Sequence, residues 1–197
     1  MATNYNDVYV EIEGANGSRE IMLGSRHLAN RRIFLNGEIN SEMADKFLKQ
    51  MLYLKEMGDE TVTIYVDSPG GEVNAGLMIY DIIQNADFPI DMVCTGLAAS
   101  MGAVIMAGGQ AGRRYILPHS NMMIHEPLIS NGVGGSATSI KNISDSIIKT
   151  REMINGILSK HTGKTIEEID KATSFDNHMN AEEAIEFGLC DKVTTLF

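Results

Sequence analysis

The feature that most constrains the fold is a β-branched run that stops at a proline and two glycines. The run TVTIYVDS covers residues 61–68, Pro69-Gly70-Gly71 ends it, and EVNAGLMIYDIIQ follows with helical character. The succession recurs, because IDMVCTG predicts a strand and ASMGAVIMAGG predicts a helix of small residues. Strands that alternate with helices indicate an α/β domain with a largely parallel sheet.

Further elements follow the same logic. RRIFLNGEI, RRYILP and NMMIH predict strands, and a long helix is expected from about Ser139 to His161. Asn40 or Ser41 caps an earlier helix. Two later helices have capping-box spacing or close to it, at Thr165 with Glu168 and at Asn180 with Glu183. The expected apolar stripe of the earlier helix comprises Ala44, Phe47, Leu48, Met51 and Leu52.

Composition limits the classes of function. The 197 residues fit one domain, 1–197, and the formal charge of −10 argues against a nucleic-acid partner because the overall field repels phosphates. Cys94 and Cys190 are expected to be buried thiols. The sequence shows no signal peptide and no apolar run of membrane-spanning length, which predicts a soluble cytoplasmic protein. Residues 1–20 are expected to form a flexible arm.

Ser100 stands between a predicted strand and a predicted helix, in GLAASMGA. Free backbone N–H groups and the helix dipole at such a position can hold the oxyanion that forms when a carbonyl is attacked. A serine there also commonly just caps the helix. Ser100 is therefore a candidate nucleophile, with capping as the alternative role.

Two other segments carry possible chemistry. The glycines of Asp67–Gly71 can expose N–H groups to a peptide, or they simply make a turn. His125 ends an apolar strand before Pro127 and can act as a general base, or it is satisfied structurally. The histidines show no familiar zinc spacing. The third, acidic member of a triad stays open among Asp67, Asp145, Asp170, Asp176 and Asp191.

In order and spacing, TVTIYVDSPGGEVNAGLMIYDIIQ, GLAASMGAVIMAGG, MMIHEPL and AEEAIEFGLCDKV resemble the ClpP peptidases. The resemblance runs from about Arg31 to Val193. It implies a crotonase-like α/β spiral of β-β-α units with a protruding handle near residues 126–161.

The resemblance also implies roles for individual residues. Ser100 matches the nucleophile, His125 the general base and Asp176 the acid of the triad. The backbone N–H groups of Gly71 and Met101 match the oxyanion hole. The implied activity is serine endopeptidase cleavage without a metal or organic cofactor.

The same resemblance implies an assembly. Family members form heptameric rings, homomeric or mixed, and two rings stack through their handles into a tetradecamer with inner active sites. An ATP-driven AAA+ unfoldase such as ClpX or ClpC feeds unfolded polypeptides into the chamber, as in protein quality control. The stripe of Ile140, Ile143, Ile147, Ile154 and Ile157 packs either on a partner ring or on its own sheet.

The chain departs from the family pattern in three places. Leu97 replaces a usual glutamine behind the nucleophile, and His178 replaces an aromatic residue. Ser174 and Phe175 replace an acidic and a basic residue that pair across the ring interface. At the unfoldase-docking positions Tyr65 fits the aromatic pattern, whereas polar side chains stand at positions 63 and 85 (Thr63 and Asn85).

Two alternatives to an active peptidase subunit follow. A catalytically weak ring partner of a paralogous subunit would keep the fold, and replacing Ser100 in it would leave the activity of the assembly unchanged. An acyl-CoA enzyme of the crotonase type shares the implied fold and uses an oxyanion hole. Acyl-CoA hydration, however, does not need the nucleophilic pair Ser100 and His125.

Overall fold

A computed structural model describes residues 8–14, 17–129, 132 and 134–195. Its strands are β1 Tyr9–Gly14, β2 Gly17–Met22, β3 Arg32–Asn36, β4 Val62–Ser68, β5 Ile90–Ala99, β6 Arg114–Ile116, β7 Asn121–Ile124, β8 Asn177–Met179 and β9 Lys192–Val193. Its helices are α1 Leu23–Ala29, α2 Ser41–Met57, α3 Val73–Gln84, α4 Met101–Ala107, α5 Ala137–Thr162, α6 Ile166–Thr173 and α7 Ala181–Phe187. The predicted mixed α/β class is confirmed, and the spiral arrangement stays a prediction.

The central sheet is mostly parallel, with the strand order β3-β4-β5-β6-β9. The long strand β5 uses its two halves differently. Residues 92–94 pair with β6, and residues 97–99 pair with β7. The antiparallel partner of β7 is β8, a short strand that the sequence pattern did not predict. The C-terminal half of β5 therefore stays paired with β4 through Ser68 and Ala98, and on its other side it pairs with β7 instead of β6.

The core lies between this sheet and its helices, and α2 and α4 show how it is built. In α2 the side chains of Ala44, Phe47 and Met51 are buried as predicted. Leu54 is buried in place of the predicted Leu52, which is 57% exposed. Every residue of α4 is buried, and Gly102, Ala103 and Ala107 let the helix approach its neighbours closely.

Capping signals located the helices well. The side chain of Asn40 accepts a hydrogen bond from the N–H of Met43 and begins α2. Capping boxes at Thr165 and at Asn180 begin α6 and α7, as predicted. Both cysteines are free and buried, and burial raises the pKa of Cys94 to about 11 and that of Cys190 to about 12.

The described part of the predicted N-terminal arm contains strands. β1 and β2 form an antiparallel hairpin in which Tyr9 pairs with Met22. The polar residues and glycines of this segment predicted a flexible arm, although Val10, Glu11, Ile12 and Glu13 alternate as in a half-buried strand. Residues 1–7, 15 and 16 of that arm lie outside the described residues.

Helix α5 divides into two halves. Its C-terminal half packs on the core through Ile154, Asn155 and Leu158. Its N-terminal half is largely exposed, and Ile140 is 45% exposed there. Before it lies the glycine-rich segment NGVGGSATS, for which the sequence predicts a loop or a flexible strand. Residues 130, 131 and 133 lie outside the described residues. Among the described helices, including this long one, none is apolar over enough length to cross a membrane.

Candidate active site

The ends of three strands converge at one point. In the β5–β7 pairing Ala99 lies opposite Met123, and the N–H of Ser100 donates to the carbonyl of Met123 at 2.8 Å. In the antiparallel β7–β8 pairing Ile124 lies opposite Asn177. The residues just beyond these strand ends, Ser100, His125 and Asp176, are consequently neighbours in space.

Ser100 occupies a sharp turn between β5 and α4. Its φ of 52° and ψ of −120° form a backbone conformation that residues other than glycine rarely adopt. Its hydroxyl makes no capping hydrogen bond with α4, although capping was the alternative role. The Oγ atom instead lies 2.9 Å from Nε2 of His125. The turn therefore presents the hydroxyl to the imidazole rather than to the helix.

Both ring nitrogens of His125 have partners. Nε2 faces Ser100, and Nδ1 lies 3.1 Å from Oδ1 of Asp176. Because a carboxylate accepts, the Nδ1–H donates to Asp176, which leaves Nε2 free to accept from the serine hydroxyl. The side chain of His125 is only 16% exposed, whereas that of Asp176 is 67% exposed. This is the arrangement that a general base needs, with its tautomer fixed by an acid.

The structure distinguishes among the five acidic residues that the sequence left as candidates for the third triad member. Only Asp176 contacts His125. Asp67 accepts from the N–H of Leu97 at 3.0 Å, and Asp191 pairs with Arg114. Asp170 accepts from Asn155, and Asp145 lies on the exposed half of α5. The signal that could have identified Asp176 is its place directly before β8, a strand too short to be recognised from its pattern.

Gly70 lies against the nucleophile, and Gly71 lies against the backbone of Ile39. A Cβ atom added to Gly70 would come within 2.7 Å of Cβ of Ser100 and 3.1 Å of the backbone nitrogen of Met101. A Cβ atom on Gly71 would come within 2.1 Å of the carbonyl oxygen of Ile39. The backbone can approach this closely only because both positions are glycine.

The backbone N–H groups of Gly71 and Met101 both remain available. The N–H of Gly70 donates to Oγ of Ser68, and that of Glu72 donates to the carbonyl of Ile39. Within the described residues no such acceptor is found for Gly71. Met101 is the first residue of α4, so its N–H has no intrahelical acceptor. Two N–H groups beside a serine hydroxyl can hold a developing oxyanion.

A cleft of about 550 Å³ is lined by residues that closely follow Gly71 and His125 in the chain. It lies between the start of α3, the segment that follows His125 and the exposed half of α5. The segment after His125 is tied down where the N–H of Glu126 donates to the carbonyl of Thr173 at 2.7 Å. Arg151 of α5 also lies 3.5 Å from the carboxylate of Glu126. The cleft can receive an extended chain next to the serine.

The positions that depart from the family pattern differ in their exposure. Phe175, next to Asp176, is 58% exposed, and Ser174 and His178 are exposed as well. Leu97 is half-buried and bonds to Asp67 through its backbone N–H. Tyr65 stacks on Phe34 with ring centroids 5.0 Å apart.

A comparison with protein families agrees with this geometry. The family model described as Clp protease matches residues 15–196, nearly the whole chain. The match includes all three strand ends that meet at the serine, as well as both glycines of the turn.

Proposed function

The chain belongs to the Clp protease family, and we propose that it is the serine endopeptidase subunit of a compartmentalised ATP-dependent protease. The observation that carries the proposal is the linked pair of hydrogen bonds from Ser100 to His125 and from His125 to Asp176. The substrate class proposed is unfolded polypeptide.

In the proposed reaction Oγ of Ser100 attacks the carbonyl carbon of a peptide bond while Nε2 of His125 takes the hydroxyl proton. Asp176 stabilises the imidazolium that forms. The N–H groups of Gly71 and Met101 hold the negative oxygen of the tetrahedral intermediate. The carbon–nitrogen bond then breaks, the leaving amine receives the proton from His125, and an acyl-enzyme remains on Ser100.

Deacylation repeats the sequence with water. His125 removes a proton from the water, the resulting hydroxide attacks the ester carbon, and Ser100 leaves with the proton returned to its Oγ. Every proton is transferred through the imidazole, so the proposed mechanism requires no metal and no organic cofactor. ATP is consumed by the partner unfoldase and not by this chain.

Clp family membership implies a ring-type assembly and partnership with Clp ATPases in general. We propose two stacked heptamers, homomeric or mixed, in the cytoplasm, served by an AAA+ unfoldase such as ClpX or ClpC. Enclosure suits a protease with few side-chain pockets, because it restricts which polypeptides reach the triad. The exposed N-terminal half of α5, where Ile140 is 45% exposed, supports a second ring as its partner, whereas Ile154 packs on the core of this chain.

A second candidate is a catalytically weak partner in a mixed ring. It is favoured by Ser174 and Phe175, which give the segment before Asp176 no charged side chain for an interface ion pair. In that role the triad of this chain would contribute little to the activity of the assembly.

Degradation of an unfolded protein tests the proposal and separates the two candidates. The assembled protein, with unfoldase and ATP, is compared with its Ser100→Ala variant. We expect the variant to lose at least about a thousandfold in peptide hydrolysis, because nucleophile and base act as a unit. Unchanged activity in an assembly that contains the variant would favour the weak partner.

A further inference from the structure

The cleft beside the triad carries a single charged side chain among the described residues that line it. Its walls are mainly apolar, and the charge is the carboxylate of Glu72 at the start of α3. The apolar walls include Val73, Pro127, Leu128 and Ile147. The cleft therefore combines an aliphatic surface with one negative group.

Glu72 is adjacent in sequence to a group of the proposed mechanism. It directly follows Gly71, whose N–H is a candidate oxyanion donor, and the opposite wall begins at Pro127, two residues after His125. An extended peptide with its scissile carbonyl at Ser100 can enter between these walls, because they begin within two residues of Gly71 and His125 along the chain. A side chain of that peptide then lies within reach of the Glu72 carboxylate.

The charge of Glu72 is oriented and is not neutralised by a cation. The hydroxyl of Ser41 donates to Oε2 of Glu72 at 3.0 Å, and no lysine or arginine among the described residues pairs with it. The nearby acid Glu126, by contrast, is paired with Arg151. A hydroxyl donor fixes the carboxylate in position and leaves its net charge to act on a ligand.

We propose that Glu72 sets a charge preference in the peptide cleft, so that a lysine or arginine side chain of the substrate is favoured over an acidic one. The inference rests on the proposed peptidase function and names its preferred substrates. Lysine and arginine can lay their methylene stems along the apolar walls while the cationic end meets the carboxylate. An acidic side chain would meet a like charge at the same place.

The test uses internally quenched peptides with the full-length assembled protein. Otherwise identical peptides carry lysine or glutamate at one position on either side of the cleaved bond, and kcat/KM is measured for each. We expect lysine to exceed glutamate about tenfold at one position, equivalent to ~1.4 kcal/mol. The ratio should fall as the salt concentration rises, because exposed charges are screened.

Two substitutions locate the effect. Glu72→Gln retains an acceptor for Ser41 and removes no helix cap, since the Glu72 side chain makes no capping hydrogen bond. This variant should lose most of the preference, and Glu72→Lys should reverse it. Glu56→Gln is the matched control, with the same change in net charge on an exposed side chain roughly 22 Å along α2 from Ser41. It should keep the preference.

The outcomes separate this inference from the function on which it rests. Ser100-dependent hydrolysis with equal rates for lysine and glutamate peptides, or with a ratio that Glu72→Gln leaves unchanged, would overturn the role of Glu72 alone. Absence of any hydrolysis that depends on Ser100 would overturn both proposals. A glutamate peptide cleaved faster than its lysine counterpart would also contradict the inference.

Discussion

Ser100 illustrates how single residues set up this site. Its positive φ costs roughly 1–3 kcal/mol for a residue with a side chain, and such strain persists only where the surrounding structure holds it. Here the N–H of Ser100 is fixed by Met123, and all of α4 behind it is buried. The conformation directs the hydroxyl away from the helix and toward His125.

Gly71 allows a sharper test at the same scale. Gly71→Ala would drive a Cβ atom into the carbonyl of Ile39, so the turn must move. We expect lost peptide hydrolysis and a lower free energy of unfolding, by at least about 2 kcal/mol from the clash and the strained φ. Both are measured by activity assays and by denaturant unfolding.

The matched control is Gly156→Ala in α5. Gly156 has nothing within 4 Å of an added Cβ atom and an ordinary helical backbone. This variant should keep its activity and gain up to about 1 kcal/mol, because alanine favours a helix over glycine. A Gly71→Ala protein that is fully active would contradict the assigned backbone role.

At this scale local residues made two positions of the proposed triad candidates, each with a structural role as the alternative. Ser100 and His125 each follow a recognisable apolar strand, so their location at strand ends could be read from the pattern. Asp176 could not, because β8 has only three residues and no alternation. The choice of the acid depended on a long-range pairing between β7 and β8, and only the family resemblance anticipated it.

At the scale of elements, Arg114 at the start of β6 joins three helices. Its guanidinium donates to the carbonyl oxygens of Ala107, His161 and Gly188, at or near the C-terminal ends of α4, α5 and α7. It also pairs with Asp191 at 2.6 Å. Burial opposes ionisation of Asp191, but the hydrogen bonds and charge of Arg114 outweigh it and lower the pKa of Asp191.

Replacing Arg114 should therefore destabilise the folded protein. We expect Arg114→Gln to lower the free energy of unfolding by about 3–5 kcal/mol, since a buried pair loses one partner and carbonyl groups lose their donor. Arg113→Gln is the control, because the neighbouring Arg113–Asp91 pair is partly exposed, and we expect a loss of about 1 kcal/mol or less. Equal effects of the two variants in urea unfolding would refute the role of Arg114 as a buried link.

His161, in the last turn of α5, predicts that the free energy of unfolding depends on pH. Burial, together with the positive charges of Lys160 and Arg114, lowers the pKa of His161 to about 4. Its ring accepts or donates a 2.8 Å hydrogen bond with Tyr80. Because the folded pKa lies below the ordinary value of 6.5, the unfolded chain binds more protons between these values. Stability should fall as the pH drops from about 6.5 toward 4.

Thermal or urea unfolding across this pH range checks the prediction in the wild type and in two variants. His161→Gln should flatten the dependence, whereas His178→Gln, at an exposed position in β8, should leave it in place. A slope that persists in His161→Gln would assign the titration to another group.

The elements themselves were largely predictable, for physical reasons that also explain the failures. Helices α2, α6 and α7 begin at side-chain caps, which are local signals. Leu52 was predicted to be buried instead of Leu54 because both positions fit a helical apolar stripe. Which of the two is buried depends on where the core lies relative to the helix. The hairpin β1–β2 was missed because its polar residues and glycines were given more weight than the short alternation from Val10 to Glu13.

At the scale of the whole molecule, the isoleucines of α5 test the proposed double ring. Ile140→Glu places a charge at an exposed position of the stripe, so folding should change by no more than about 0.5 kcal/mol. If the stripe packs on a second ring, the charge must be buried there. We expect double rings to dissociate into single rings, as measured by analytical ultracentrifugation or native mass spectrometry.

Asn142→Glu is the control for this substitution. Asn142 lies roughly 200° around the helix from Ile140, so this substitution adds the same charge on the opposite face. Its assembly should match that of the wild type. Dissociation by both variants, or by neither, would contradict the assignment of the isoleucine face to the ring contact.

The central claim is that Ser100 is a nucleophile activated by His125, and labelling with a fluorophosphonate probe tests it most directly. The assembled protein and its His125→Ala variant are treated with the probe, and the adduct is located by mass spectrometry. We predict modification of Ser100 in the wild type and its loss in the variant. An assembled protein that is not labelled at Ser100, or is labelled equally well without His125, would contradict the claim.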